Sequence, residues 1–64
     1  MTLIHLIEEG IARYEAQSKR LVKALYHLDP VLDDQAINAL MVANAYCTGA
    51  AEALRHVLAT ASEQ

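Results

Sequence analysis

The feature that most constrains this chain is a long segment without charge. From Ala36 to Ala51, sixteen consecutive residues carry no charged side chain. The polar side chains of this segment are those of Asn38, Asn44, Tyr46, Cys47 and Thr48. One neighbouring helix covers about one stripe of a helix, so a helix that is apolar on several sides must be buried on several sides. The sequence therefore predicts a docking surface built into the chain.

The length of the chain points the same way. With 64 residues and a mass of 7.0 kDa it forms one domain at most, and a domain of about 60 residues buries only about 60% of its unfolded surface. The single cysteine, Cys47, cannot form an intramolecular disulfide, and no zinc-finger spacing is present. Oligomerisation or a partner is the remaining source of stability.

Charge and targeting signals narrow the class of protein. The net charge of -3 gives no electrostatic reason to expect nucleic acid as a partner, although four of the five cations, namely Arg13, Lys19, Arg20 and Lys23, lie in the first half. We find no signal peptide and no apolar stretch of about 18 residues, the length of a membrane span. A lone thiol is typical of a reducing compartment, so we predict a cytoplasmic protein that does not bind membranes.

Two heptad patterns predict an all-α fold. In the first half, apolar residues alternate at spacings of three and four, with Ser18 in the one polar position: Ile4, Ile7, Ile11, Tyr14, Ser18, Leu21, Leu25 and Leu28. The second half repeats the pattern: Ile37, Leu40, Asn44, Cys47, Ala51, Leu54, Leu58 and Ala61. Each row is an unbroken a/d seam of a helix.

The segment between the seams predicts a tight connection. Pro30 stops the first helix, and either Asp29, with Pro30 at the first helical position, or Asp33 or Asp34 caps the second. We therefore predict a single antiparallel two-helix hairpin over residues 1–64. Helix 1 is expected over about 2–28, the turn over about 29–33 and helix 2 over about 34–61. The hairpin is expected to dimerise into a four-helix bundle or to pack on a helical partner.

The two seams agree on one register. Folding them together places Ser18, the polar residue of the first seam, opposite Asn44, the polar residue of the second. A hydrogen bond between them would weaken the hairpin relative to an apolar layer, but it would penalise slipped registers that leave an amide unpaired in the core. The sequence thus predicts a polar core layer of Ser18 and Asn44.

The residues beside the seams predict which side meets a partner. One side is half polar, with Glu8, Glu15, Val22, Met41, Thr48 and Arg55. The other is a long surface of mostly small apolar residues, on which Gln17 is polar and Tyr46 is the one large anchor. Such a surface exceeds what a soluble monomer usually leaves in water. The predicted partner interface comprises Leu3, Gly10, Ala36, Ala39, Ala43, Tyr46, Ala50, Ala53 and Val57.

Candidate chemical groups do not assemble into a site. His5 with Glu9 and Glu52 with His56 are i,i+4 pairs that suggest a metal site, but all four positions point away from the seam. Cys47 lies on the seam, where a nucleophile would be buried and not activated. We therefore predict no metal, no cofactor and no enzymatic activity.

Two resemblances suggest more specific roles. In length, hairpin form and seam, and in the segments Ala12-Arg13-Tyr14 and Leu28-Asp29, the chain resembles the Rop plasmid copy-number regulators. That resemblance implies a homodimeric four-helix bundle that binds paired RNA loops. In its Met1-Thr2 start and alanine-rich second helix it also resembles the small hairpin co-chaperones of type III secretion needle subunits, which implies packing against a helical-repeat partner.

The residues favour a protein-binding role over RNA binding. Tyr14 falls on the seam, and Glu8, Glu9 and Glu15 are mixed with the basic residues of helix 1. We therefore predict a non-enzymatic interaction module of the adaptor, chaperone or inhibitor type, which docks through helix 2 onto itself or another helical protein. The alternatives are a Rop-like RNA-binding dimer and a needle co-chaperone-like hairpin.

Overall fold

The computed structural model describes residues 2–62 and confirms the all-α hairpin. Helix α1 spans Leu3–Leu25 and helix α2 spans Asp34–Ser62, and the two pack antiparallel along their length. The hairpin is an elongated slab with extents of 51 × 17 × 11 Å. The loop forms one end, and the start of α1 and the end of α2 form the other, here called the open end.

Helix α1 begins at a cap that the sequence analysis missed and ends earlier than predicted. The Thr2 hydroxyl accepts a hydrogen bond from the His5 N–H at 3.1 Å, as an N-cap does. Helix α1 ends at Leu25, three residues before the end expected at about residue 28. After it, the N–H groups of His27 and Leu28 bond to carbonyls three residues back, which tightens the last turn before the proline.

The carboxylates of two aspartates hold the connection by accepting hydrogen bonds from main-chain N–H groups. Asp29 Oδ1 accepts from the N–H groups of Val31 and Leu32, at 2.8 and 3.0 Å, and Asp33 Oδ2 accepts from the Asp29 N–H at 2.9 Å. Asp29 therefore caps a single turn that leads into α2. The bonds from Leu32 and Val31 hold the pKa of Asp29 below its usual range, so this contribution to stability is lost as the pH falls below about 4.

The core is small and lies toward the open end. Its buried residues are Ile7, Ile11, Cys47 and Ala51, which lie on the two seams. The remaining seam residues are half-buried, apart from Ile4, which is 39% exposed. Each helix thus covers one stripe of the other, and the outer sides of α2 stay in water.

The two glycines provide a test of this packing. A Cβ on Gly49 would meet nothing within 4 Å, and glycine within a helix costs about 1 kcal/mol relative to alanine. We expect Gly49→Ala to stabilise the chain by about that amount, raising its melting temperature by about 4 °C or more. The change is measured by thermal denaturation followed by circular dichroism.

Gly10→Ala is the matched control. A Cβ there would lie 3.1 Å from Leu54 Cδ1, so the gain in helix propensity should be offset by crowding. If Gly49→Ala instead lowers the melting temperature, the outer face of α2 at Gly49 is in contact with another chain.

Candidate protein interface

The two sides of the hairpin are covered unequally. We call the side with the nine predicted interface residues, together with Gln17 and Ala24, the alanine face, and the half-polar side the ion-pair face. Gly10, Ala24, Ala43 and Ala50 on the alanine face are half-buried within the hairpin itself. The flanking residues of the ion-pair face are all exposed. Because these residues are small, α1 and α2 approach each other closely on this side. The hairpin itself therefore covers part of the alanine face.

The rest of the alanine face is open to solvent. Leu3 is 67% and Tyr46 68% exposed, and Val57, Ala36, Ala39 and Ala53 are exposed as well. Leu6, which the sequence analysis left out, is also exposed and lies one turn after Leu3 on α1. The spacing of three from Leu3 was the signal that could have found it. The exposed surface is bulky at the open end and consists of alanines toward the loop.

Tyr46 is held in place by a second tyrosine. The rings of Tyr14 and Tyr46 meet edge to face, with centroids 6.3 Å apart and planes at 72°. Such pairs contribute about 0.5–1.5 kcal/mol beyond their buried area. Interaction with the neighbouring Tyr46, followed by partial burial, raises the pKa of Tyr14 above its usual range. Tyr46 is thus a positioned, largely exposed aromatic side chain in the middle of the alanine face.

The polar layer lies beside these tyrosines. Ser18 Oγ donates to Asn44 Oδ1 at 2.5 Å, and both residues are half-buried. The Thr48 hydroxyl donates to the main-chain carbonyl of Asn44 at 2.8 Å. The hydrogen bond across the seam joins the two residues that the heptad pattern places in one layer. It fixes the axial position of α1 relative to α2.

We expect the polar layer to lower the stability of the hairpin while favouring a single register. Replacing the pair together, as Ser18→Ala with Asn44→Leu, should raise the free energy of unfolding by about 1 kcal/mol, because a hydrogen bond contributes little net over apolar burial. It should also broaden the set of registers, which would appear as extra peaks in an amide NMR spectrum. A double variant that melts well below the parent would show that the pair contributes more than an apolar layer.

The ion-pair face carries an ion pair between the two helices. Arg55 lies 2.8 Å from the carboxylate of Glu15. Both side chains are 51% exposed, so the pair contributes less than about 1 kcal/mol. Beside it lies an open groove of ≈ 420 Å³, with the small residues Cys47 and Ala51 among its lining. Charge and groove make this face less suited to close helix packing than the alanine face.

The candidate chemical groups stay apart. In residues 2–62, no three histidine, cysteine or acidic side chains lie close enough to hold a metal ion. His5, His27 and His56 are all exposed, His27 near the loop and the other two toward the open end. Cys47 is a buried free thiol across the seam from Tyr14. In the part of the chain that the structure describes, none of these side chains lies next to a general base as an activated nucleophile would.

Comparison with known proteins adds no family to this description. No family, no curated protein and no solved structure gives a significant match to the chain. Over the described range, neither helix is long and apolar enough to cross a membrane.

Proposed function

We propose that this chain is a non-enzymatic protein-interaction module, of the adaptor, chaperone or inhibitor type, that docks a helix on the alanine face. The observation that carries the proposal is the large solvent-exposed surface area of the chain. The chain exposes 5082 Å², whereas a compact monomer of its mass exposes about 4,000 Å². The excess of about 1,000 Å² is close to the roughly 800 Å² that each partner contributes to a standard protein interface.

The composition of the face supports a helical partner. Alanine side chains allow two helix backbones to approach closely, and Tyr46 adds one large anchor whose hydroxyl can stay hydrated at the rim. No acidic residue lies on this face among the described residues, and Arg13 and Arg20 lie beside it on the outer side of α1. We place this role in the cytoplasm, because Cys47 is a free thiol.

A basic strip on α1 supports an alternative. Lys19, Arg20 and Lys23 are all exposed, and no acidic residue lies between Glu15 and Asp29. A structured RNA could bind such a strip through its phosphates, in which case affinity would fall steeply with salt. The interaction module is favoured because the strip contains only three charges, whereas the apolar surface extends along most of the hairpin.

The proposal is tested on the native chain alone. We expect circular dichroism to report a helical protein and light scattering at micromolar concentration to report a mass above 7.0 kDa. If the chain is a monomer, its free alanine face should bind anilinonaphthalene sulfonate and increase the dye's fluorescence. A folded monomer that does not bind the dye contradicts the proposal, and salt-sensitive binding to structured RNA would favour the alternative.

A further inference from the structure

Side-chain size changes along the alanine face. At the open end it carries Leu3 on α1 and Val57 on α2, both exposed, whereas near the loop it carries Ala24 and Ala36. Between them, Gly10 and Gln17 follow on α1, and Ala43 and Ala50 on α2. The rows beside the seam are therefore bulky at one end and thin at the other, and Tyr46 lies midway along α2.

This gradient separates the two ways in which identical hairpins can stack face to face. With both loops at the same end, α1 of one copy lies over α2 of the other. Leu3 then meets Val57 of the second copy at the open end, and Ala24 meets Ala36 at the loop. Bulky residues oppose bulky ones and small residues oppose small ones, so the two slabs cannot touch along their whole length.

With the loops at opposite ends, each helix lies antiparallel on its own counterpart. Val57 then meets Ala36 of the second copy, and Leu3 meets Ala24. At the centre of α2, Ala43 meets Ala50, with Tyr46 close to the two-fold axis. Each end pair combines one bulky and one small side chain, which keeps the spacing between the two slabs even along their length.

We infer that the alanine face is covered by a second copy of this chain, stacked antiparallel with its loop over the open end. The inference rests on the proposed function, because it names the partner of the same face. The flat side of a 51 by 17 Å slab has an outline of roughly 870 Å², and a standard interface requires about 800 Å² from each partner. Arg13 and Arg20 lie at the edge, where their charged ends remain in water while their stems cover apolar surface.

Disulfide cross-linking tests the orientation. A chain carrying Ala36→Cys is mixed with one carrying Val57→Cys under mild oxidation, and a covalent dimer of the two is expected. Each variant alone should not cross-link through its new cysteine, because the two copies of that residue lie about 30 Å apart at about 1.5 Å per helical residue. Cys47 is retained, since it is only 4% exposed, and the native chain under the same oxidation measures its background.

The matched control is a mixture of Leu3→Cys and Val57→Cys chains, which cross-links only if both loops lie at the same end. Cross-linking in this mixture and not in the first would overturn the inferred orientation while leaving the alanine face as the docking site. No cross-link in either mixture, together with a monomeric mass, would overturn the second copy as occupant. A dimeric mass with no cross-link in either mixture would instead contradict the proposed function, since the contact would then lie on another face.

Discussion

Replacing Tyr46 with lysine is expected to abolish association while leaving the hairpin helical. Tyr46 lies off the seams, is 68% exposed and contacts Tyr14 edge to face. A charge buried there without a partner costs about 3 kcal/mol or more, which corresponds to a loss of over a hundred-fold in affinity. The effect is measured by light scattering over a dilution series, with circular dichroism reporting helix content. Ala43→Glu is expected to act in the same way.

Two control variants make this result interpretable. Thr48→Lys places the same charge on the ion-pair face of α2 and should leave association unchanged, because Thr48 is exposed there. Lys19→Glu reverses a charge on the basic strip, and it should be nearly silent for a protein-binding module. The opposite pattern, with Tyr46→Lys silent and Lys19→Glu abolishing partner binding, would replace the module by the RNA-binding alternative.

Ile11→Ala is expected to remove much of the stability of the chain. Ile11 is one of the four residues that are buried in the core within residues 2–62, and a buried isoleucine truncated to alanine costs about 2–5 kcal/mol. A domain of this length has a total stability of about 3–10 kcal/mol, at roughly 0.05–0.15 kcal/mol per residue. Urea denaturation at one fixed protein concentration measures the loss, since the stability of an associating chain depends on concentration.

Ile4→Ala is the matched control for this variant. Ile4 belongs to the same seam but is 39% exposed in the hairpin, so less apolar area is lost and the cost should be clearly smaller. Equal costs for the two variants would contradict the burial seen in the isolated hairpin. They would show that Ile4 is covered by something outside this chain.

The heptad seams predicted the fold because apolar residues spaced three and four apart lie on one side of a helix, and two such stripes pack against each other. Ser18 and Asn44 form a hydrogen bond across the seam, in the layer where the two patterns place them. The end of α1 was placed too late because the last turn tightens before Pro30 through local main-chain bonds that leave no apolar signal. The contact of Arg55 with Glu15 could not be predicted from the pattern, because a long side chain can reach a residue outside its own layer.

The candidate interface was only partly predictable for a related reason. A helical wheel assigns each residue to a side, but it does not say how closely two helices approach on that side. Gly10 and Ala43 are small enough for the hairpin to cover them itself, so they are half-buried before any partner arrives. Leu6 lay one position outside the flanking rows, yet it is exposed beside Leu3. Whether a partner covers this surface remains the prediction tested by Tyr46→Lys.

The contact between Tyr14 and Tyr46 gives the chain an intrinsic optical probe. The sequence has no tryptophan and three tyrosines, so tyrosine emission is not obscured by indole fluorescence. Tyr26 is 84% exposed near the loop and provides a nearly constant background, whereas the ring pair lies at the centre of the alanine face. Docking would change the polarity around Tyr46 and its contact with Tyr14. Occupancy of the face can therefore be followed in the unlabelled, unmutated protein.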